Sequence, residues 1–123
     1  MKYSTFRMIL DLQETVSKYE LRVKDMDMGT RKIEVTFADG GQPFDLSDDN
    51  LVVTLLAKLP SGTVTETACE VSENKASVVI PDDVYETGEV ECEFRIEQVH
   101  LTHQVELHSS TFRIIVTEAM IAS

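Results

Sequence analysis

Three histidines, His100, His103 and His108, fall in one short stretch with Glu106 among them. Two or three imidazoles and a carboxylate are the ligand chemistry of a zinc site, but the spacing matches no closed structural zinc pattern and no cysteine is near in sequence. The stretch reads more simply as a polar hairpin loop carrying exposed histidines. Glu89, Glu91, Glu93 and Glu97 look at first like paired carboxylates. Alternation places all four on the wet face of one strand, whereas general acid–base work needs a partly dry cleft. Charges on an exposed strand suit edge protection or an interface better. Asp45, Asp48, Asp49 and Asn50 suggest calcium, yet the alternating oxygen ligands, central Gly and closing Glu of an EF-hand loop are missing. A turn with side-chain-to-backbone bonds is the simpler reading. Gly40-Gly41 lacks the Lys and helix of a phosphate loop, and no Gly-x-Ser-x-Gly elbow occurs. Cys69 and Cys92 both lie in β patterns with apolar neighbours and read as two small core residues. A disulfide between them would require their strands to face each other closely. No catalytic, cofactor-binding or metal-ligating residue is assigned, and the chain is expected not to be an enzyme.

The elements that carry these residues follow from alternation of period two. Phe6, Met8, Leu10 and Leu12 alternate with polar residues, as do Tyr19, Leu21 and Val23, then Ile33, Val35 and Phe37. Val90, Cys92, Phe94 and Ile96 repeat the pattern, and so do Phe112, Ile114 and Val116. Each predicts a strand with one face on a core and one in water. Leu51–Leu59 is apolar on both faces in its middle and is expected to be central in a sheet. Val64–Val71 and Ala76–Ile80 are shorter strands rich in β-branched residues. Pro60-Ser61-Gly62 and Ser72-Glu73-Asn74 supply hairpin connections. Pro81–Gly88 has room for one helical turn, which Asp82 would cap and Gly88 would end. About eight strands with at most one short helical turn predict a single domain over residues 1–123. Its fold class is all-β, an antiparallel immunoglobulin-like β-sandwich.

Composition narrows the partners. The 123 residues carry a formal net charge of -11, which repels nucleic acid and anionic lipid. Residues 1–38 hold 7 Lys+Arg against 6 Asp+Glu, a net of +1, and residues 39–123 hold 4 against 16, a net of -12. The split fits a solvated acidic surface, or a basic first segment that meets an acidic face of a neighbour. The first residues lack the long apolar run of a signal peptide, and no segment approaches the ~20 apolar residues of a membrane helix. Synthesis in a cytoplasm is expected.

From Gly29 to Leu46 the chain reads Gly-Thr-Arg-Lys-Ile-Glu-Val-Thr-Phe-Ala-Asp-Gly-Gly-Gln-Pro-Phe-Asp-Leu. Val52-Val53-Thr54-Leu55 and Lys58-Leu59-Pro60-Ser61-Gly62-Thr63 follow. This order of a strand, a D-G-G-Q-P-F-D-L turn, a strand and a K-x-P-x-G-T hairpin resembles the N-terminal domain of tailed-phage baseplate upper proteins. Gly88-Glu89-Val90, a Gly before a strand, and the closing S-x-x-F-x-x-x-V strand from Ser109 to Val116 fit as well. The resemblance runs from about Leu10 to Val116. It implies a structural module, without catalytic residues, that docks a host-recognition part onto the distal tail and self-associates in rings or trimers. Leu46 should be buried behind Asp45. Family members usually continue into a helical or fibre segment that carries receptor-binding protein; Ser123 ends this sequence just after the last strand.

The expected function is therefore a virion structural protein, a baseplate or tail adaptor. Its partners would be copies of itself and other phage tail proteins, with no nucleic acid and no membrane. The contact segment expected is the N-terminal strand with Tyr3, Phe6, Met8, Leu10 and Leu12. The alternative is a carbohydrate- or cell-surface-binding β-sandwich of a tail tip. That role needs exposed aromatics, and the sequence supplies Tyr3, Tyr19 and Tyr85 but no Trp. A small metal protein or enzyme built on the His100–His108 stretch is the third reading.

Overall fold

The computed structural model describes residues 3–47, 50–98 and 105–120. The strands in them are β1 (Ser4–Asp11), β2 (Val16–Lys24), β3 (Arg31–Asp39), β4 (Gln42–Pro43), β5 (Leu51–Lys58) and β6 (Val64–Ala68). They continue with β7 (Glu70–Ser72), β8 (Lys75–Val79), β9 (Gly88–Gln98), β10 (Val105–His108) and β11 (Thr111–Thr117). One sheet is ordered β1-β3-β8-β7, with β4 on the end of β3. The other is ordered β2-β11-β9-β5-β6, with β10 beside β9. The inner orders β3-β8-β7 and β11-β9-β5 are those of an immunoglobulin-like sandwich. The expected sandwich is thus present, with β4, β7 and β10 added. Each of these three is too short to show alternation.

Three local expectations change. Val64–Val71 is not one strand: the chain leaves the second sheet at Cys69, whose N–H donates to the Val53 carbonyl at 3.0 Å, and enters the first as β7. Two pairings are parallel, β1 with β3 and β2 with β11. They arise because the N-terminal segment divides between the sheets, so that β1–β2–β3 is a crossover and not a hairpin. The helical turn is a single 3-10 turn over Asp82–Val84. Pro81 stands at the cap position without a side-chain bond, Asp82 is the first residue of the turn, and Gly88 begins β9.

The core follows the alternation. Met8, Leu10, Leu21, Val23, Ile33, Val35 and Phe37 are buried, as are Val90, Cys92, Phe94, Ile96, Phe112, Ile114 and Val116. β5 lies between β9 and β6 as its apolar middle requires, and Val53, Thr54 and Leu55 are all buried. Phe37 meets Phe94 edge-on across the sheets with centroids 5.7 Å apart, and Phe94 stacks on Phe112 at 5.6 Å. Antibody domains set an inter-sheet disulfide between the corresponding strands; here an aromatic contact joins them.

The turns explain the glycines and prolines. The Asp11 carboxylate accepts from the N–H groups of Gln13 (2.8 Å), Gly40 (3.1 Å) and Gly41 (2.9 Å). Both glycines have positive φ, so a tight turn holds β4 against β3. Asp45 accepts from the Ser47 N–H, the Leu46 N–H donates to Asn74 Oδ1, and Leu46 is buried. The Pro60–Gly62 turn docks on the start of β9. The Glu86 carboxylate accepts from the Ser61 N–H at 2.8 Å, and a Cβ on Gly88 would stand 2.9 Å from Pro60 Cγ.

β10 and β11 are one bent strand alongside β9. Their registers with β9 differ by one residue, Val105 opposite Gln98 but Phe112 opposite Cys92. Ser109-Ser110 absorb the extra residue as a bulge. The Ser109 N–H donates to the Phe94 carbonyl at 2.9 Å, and Ser109 Oγ accepts from the Phe94 N–H at 3.0 Å. Both serines are buried. Ser109→Ala leaves the buried Phe94 N–H without its acceptor and should cost about 1–3 kcal/mol. A lowered guanidinium midpoint with unchanged slope is the expected outcome; an unchanged midpoint would mean another acceptor serves.

Candidate functional site

The residues that suggested chemistry are tied to one another on the outer face of the second sheet. His100 and His103 lie outside the described residues. His108 ends β10 with Nδ1 2.5 Å from Glu93 Oε2 and Nε2 2.8 Å from Glu106 Oε2. Arg95 bridges Glu66 (2.6 Å) and Glu97 (2.7 Å), and Arg113 bridges Glu20 and Glu89 at 2.9 Å each. These acidic residues are strand-face ion-pair partners, as alternation indicated, and among the described residues no cluster could hold a metal ion. Asp48 and Asp49 lie outside the described residues. Asp45 forms the expected turn, and hydrogen bonds from the Ser47 N–H and hydroxyl hold its carboxyl below the usual range. Cys69 and Cys92 are free thiols. Cys92 is in the core and Cys69 packs partly buried against it.

The tyrosines do not assemble a platform. Tyr85 is buried, and burial pushes its hydroxyl up to about 12. Tyr19 donates no ring to open solvent at its tip: its hydroxyl accepts from the Ile9 N–H at 3.1 Å. Tyr3 is exposed but lies six residues from Ile9 along an extended strand, roughly 20 Å away.

The N-terminal strand is an edge. Met8 and Leu10 point into the core and are not available to a neighbour, while Phe6 and Leu12 are partly buried against that core. Of the five residues expected at a contact, Tyr3 alone is exposed. Sequence reasoning missed Ile9, which is 62% exposed. The signal was legible: Ile9 is apolar in the polar phase of its strand. Val16, on the neighbouring edge strand β2, is 69% exposed and lines the same shallow pocket as Ile9 and Tyr19.

The BppU N-terminal domain family matches residues 5–123. The chain belongs to that family. No curated protein matches it. Among solved structures, the N-terminal domain of phage TP901-1 ORF48 superposes with a TM-score of 0.75 at 17% identity, covering 93% of this chain and 98% of that one. This shared fold agrees with the sandwich described above. A cysteine protease inhibitor from Entamoeba histolytica, EhICP2, aligns at a TM-score of 0.46 and 10% identity over 91% of this chain and 96% of that one. A BppU N-terminal domain is a structural domain of the phage baseplate and so a component of the virion. No helix among the described residues is long and apolar enough to cross a membrane.

Two expectations concern chemistry in this domain. Hydrogen bonding to Glu106, and to Glu93 beside it, holds His108 above its ordinary value of 6.5 against some desolvation. A raised folded-state value means that the pairing contributes fully below the unfolded value and is lost as pH rises through the folded one. The stability gap between the native chain and His108→Gln should therefore be largest below about pH 6.5 and close at alkaline pH. Urea midpoints measured across that range check this; a gap that widens with pH contradicts it. Burial pushes the Cys69 thiol up to about 12 and Cys92 higher still. Ellman's reagent should label neither thiol rapidly in the folded protein and both on unfolding.

Proposed function

We propose that this BppU N-terminal domain is an adaptor in the baseplate or tail that docks onto other tail proteins and associates with copies of itself. The family match across residues 5–123 carries the reading. The site geometry supports it. Glu20, Glu66, Glu89, Glu93, Glu97 and Glu106 on the sheet face are held in ion pairs, and strand edges and exposed apolar residues such as Ile9 and Val16 are left open. Such features suit association with proteins, through main-chain pairing and apolar contact. The strong acidity of residues 39–123 would orient the domain toward a basic partner surface and repel acidic ones.

Binding of the full chain to purified tail and baseplate proteins of the same phage tests this. One of them should bind with an on-rate that falls as salt increases, and chelators should have no effect. Failure to bind any of them, combined with saturable binding to a glycan, would replace the adaptor reading with the carbohydrate one.

A further inference from the structure

The first strand specifies how two copies would meet. We infer that β1 pairs antiparallel with β1 of a second copy, on a two-fold axis at Phe6, with main-chain bonds at Thr5 and Arg7 and side-chain contact at Tyr3 and Ile9. This deepens the self-association proposed above and rests on it.

Main-chain groups along β1 alternate in direction. In the parallel β1–β3 ladder, Ser4 N–H donates to the Thr30 carbonyl and Leu12 N–H to the Ala38 carbonyl. Even-numbered residues therefore bond inward to β3, and odd-numbered ones point to the open edge. Two outward groups are already engaged: Ile9 N–H donates to Tyr19 Oη, and the Asp11 carbonyl accepts from Ser110 N–H. The C-terminal end of the edge is thereby closed. The outward N–H and C=O of Thr5 and Arg7, and the Ile9 carbonyl, face no strand among the described residues.

One register fits. With Phe6 on the axis, Thr5 lies opposite Arg7 of the second copy and exchanges both main-chain bonds with it. Tyr3 then lies opposite Ile9 of the second copy, so that the two large exposed side chains of this edge, 46% and 62% exposed, cover each other at both ends of the ladder. Shifting the axis to Arg7 would set the two guanidinium groups directly opposite. Shifting it to Thr5 would set Tyr3 opposite Arg7 and part it from Ile9. In the chosen register each Arg7 keeps its own Glu34, 3.4 Å away.

Charge points to the same edge. Two chains of net charge -11 repel, and the least hindered approach is through a segment without acid. From Tyr3 to Ile9 the ionisable charge is Arg7 alone. The opposite edges, β6 and β7, carry Glu66 and Glu70, and β7 has three residues. β2 breaks its register with β11 between Thr111 and Arg113. An isologous contact also closes as a dimer and does not propagate.

Sedimentation velocity on the full chain should show a monomer–dimer equilibrium. Ile9→Lys should weaken it by about tenfold or more, through loss of both end contacts, while Val64→Lys on β6 should leave it unchanged. Oxidation of Phe6→Cys should give a covalent dimer, because residues opposite each other on the axis approach to about 4.5 Å between Cα atoms. Ile9→Lys changes an exposed residue and keeps the test valid if Phe6→Cys folds poorly. A chain that stays monomeric at its highest soluble concentration overturns the proposal. So does an oligomer that is indifferent to Ile9→Lys, but that result leaves self-association standing. Binding to tail proteins, measured separately on the same variants, keeps the adaptor reading distinct from both outcomes.

Discussion

Asp11 is where the sandwich is tied together. Its carboxylate accepts from Gln13, Gly40 and Gly41, and its carbonyl accepts from Ser110 at 3.1 Å. One residue thus joins the end of β1, the β3–β4 turn and the bulge between β10 and β11. The chain can leave the first sheet here and enter the second because the neighbouring main-chain donors have an acceptor to turn around. Next to it, Thr111 N–H donates to the Thr15 carbonyl at 2.9 Å and starts the parallel β2–β11 pairing. Bonds from three N–H groups hold the Asp11 carboxyl below its usual range, the Gln13 contribution largest. The tie is therefore complete above the ordinary carboxylate value and is lost as pH falls through the lowered one.

Much of this was legible in the sequence. Met8, Ile33, Phe94 and Phe112 are buried because alternation placed them on one face, and β-strand periodicity reads faces directly. The family turn signatures also gave their physics: Leu46 is buried, and Gly88 is needed where Pro60 packs. Alternation says nothing about which strand lies beside which. The division of the N-terminal segment between sheets and the resulting parallel pairs depend on Asp11 and Thr15 finding partners about a hundred residues away in the chain. Cys69 likewise looks like the middle of a strand, since passage from one sheet to the other needs no turn residue. The first strand was legible as a strand, but its regular apolar residues Met8 and Leu10 fill the core, and the irregular one, Ile9, faces out.

The acidity has a structural distribution of its own. Glutamates across β2, β6, β9 and β10 are matched with Arg95, His108 and Arg113 into short rows on one sheet face. Exposed pairs of this kind add little stability individually. Their effect is to cover a sheet face with fixed charge that a second copy would have to desolvate. A face dressed this way leaves the sheet edges as the easier approach.

The Ser109-Ser110 bulge also bears on how this chain can vary. It shifts the phase of the strand, so the core-side face takes odd-numbered residues before it, where the exposed Leu107 lies opposite Ile96, and even-numbered ones after it, at the buried Phe112, Ile114 and Val116. Removing one residue there would make β10 and β11 a continuous ladder with both registers kept and those three core side chains still inward, at the loss of the Ser109 bonds to Phe94. The extra residue is thus a point where a one-residue deletion keeps both faces of the strand in phase, and what it contributes is the pair of Ser109 bonds to Phe94.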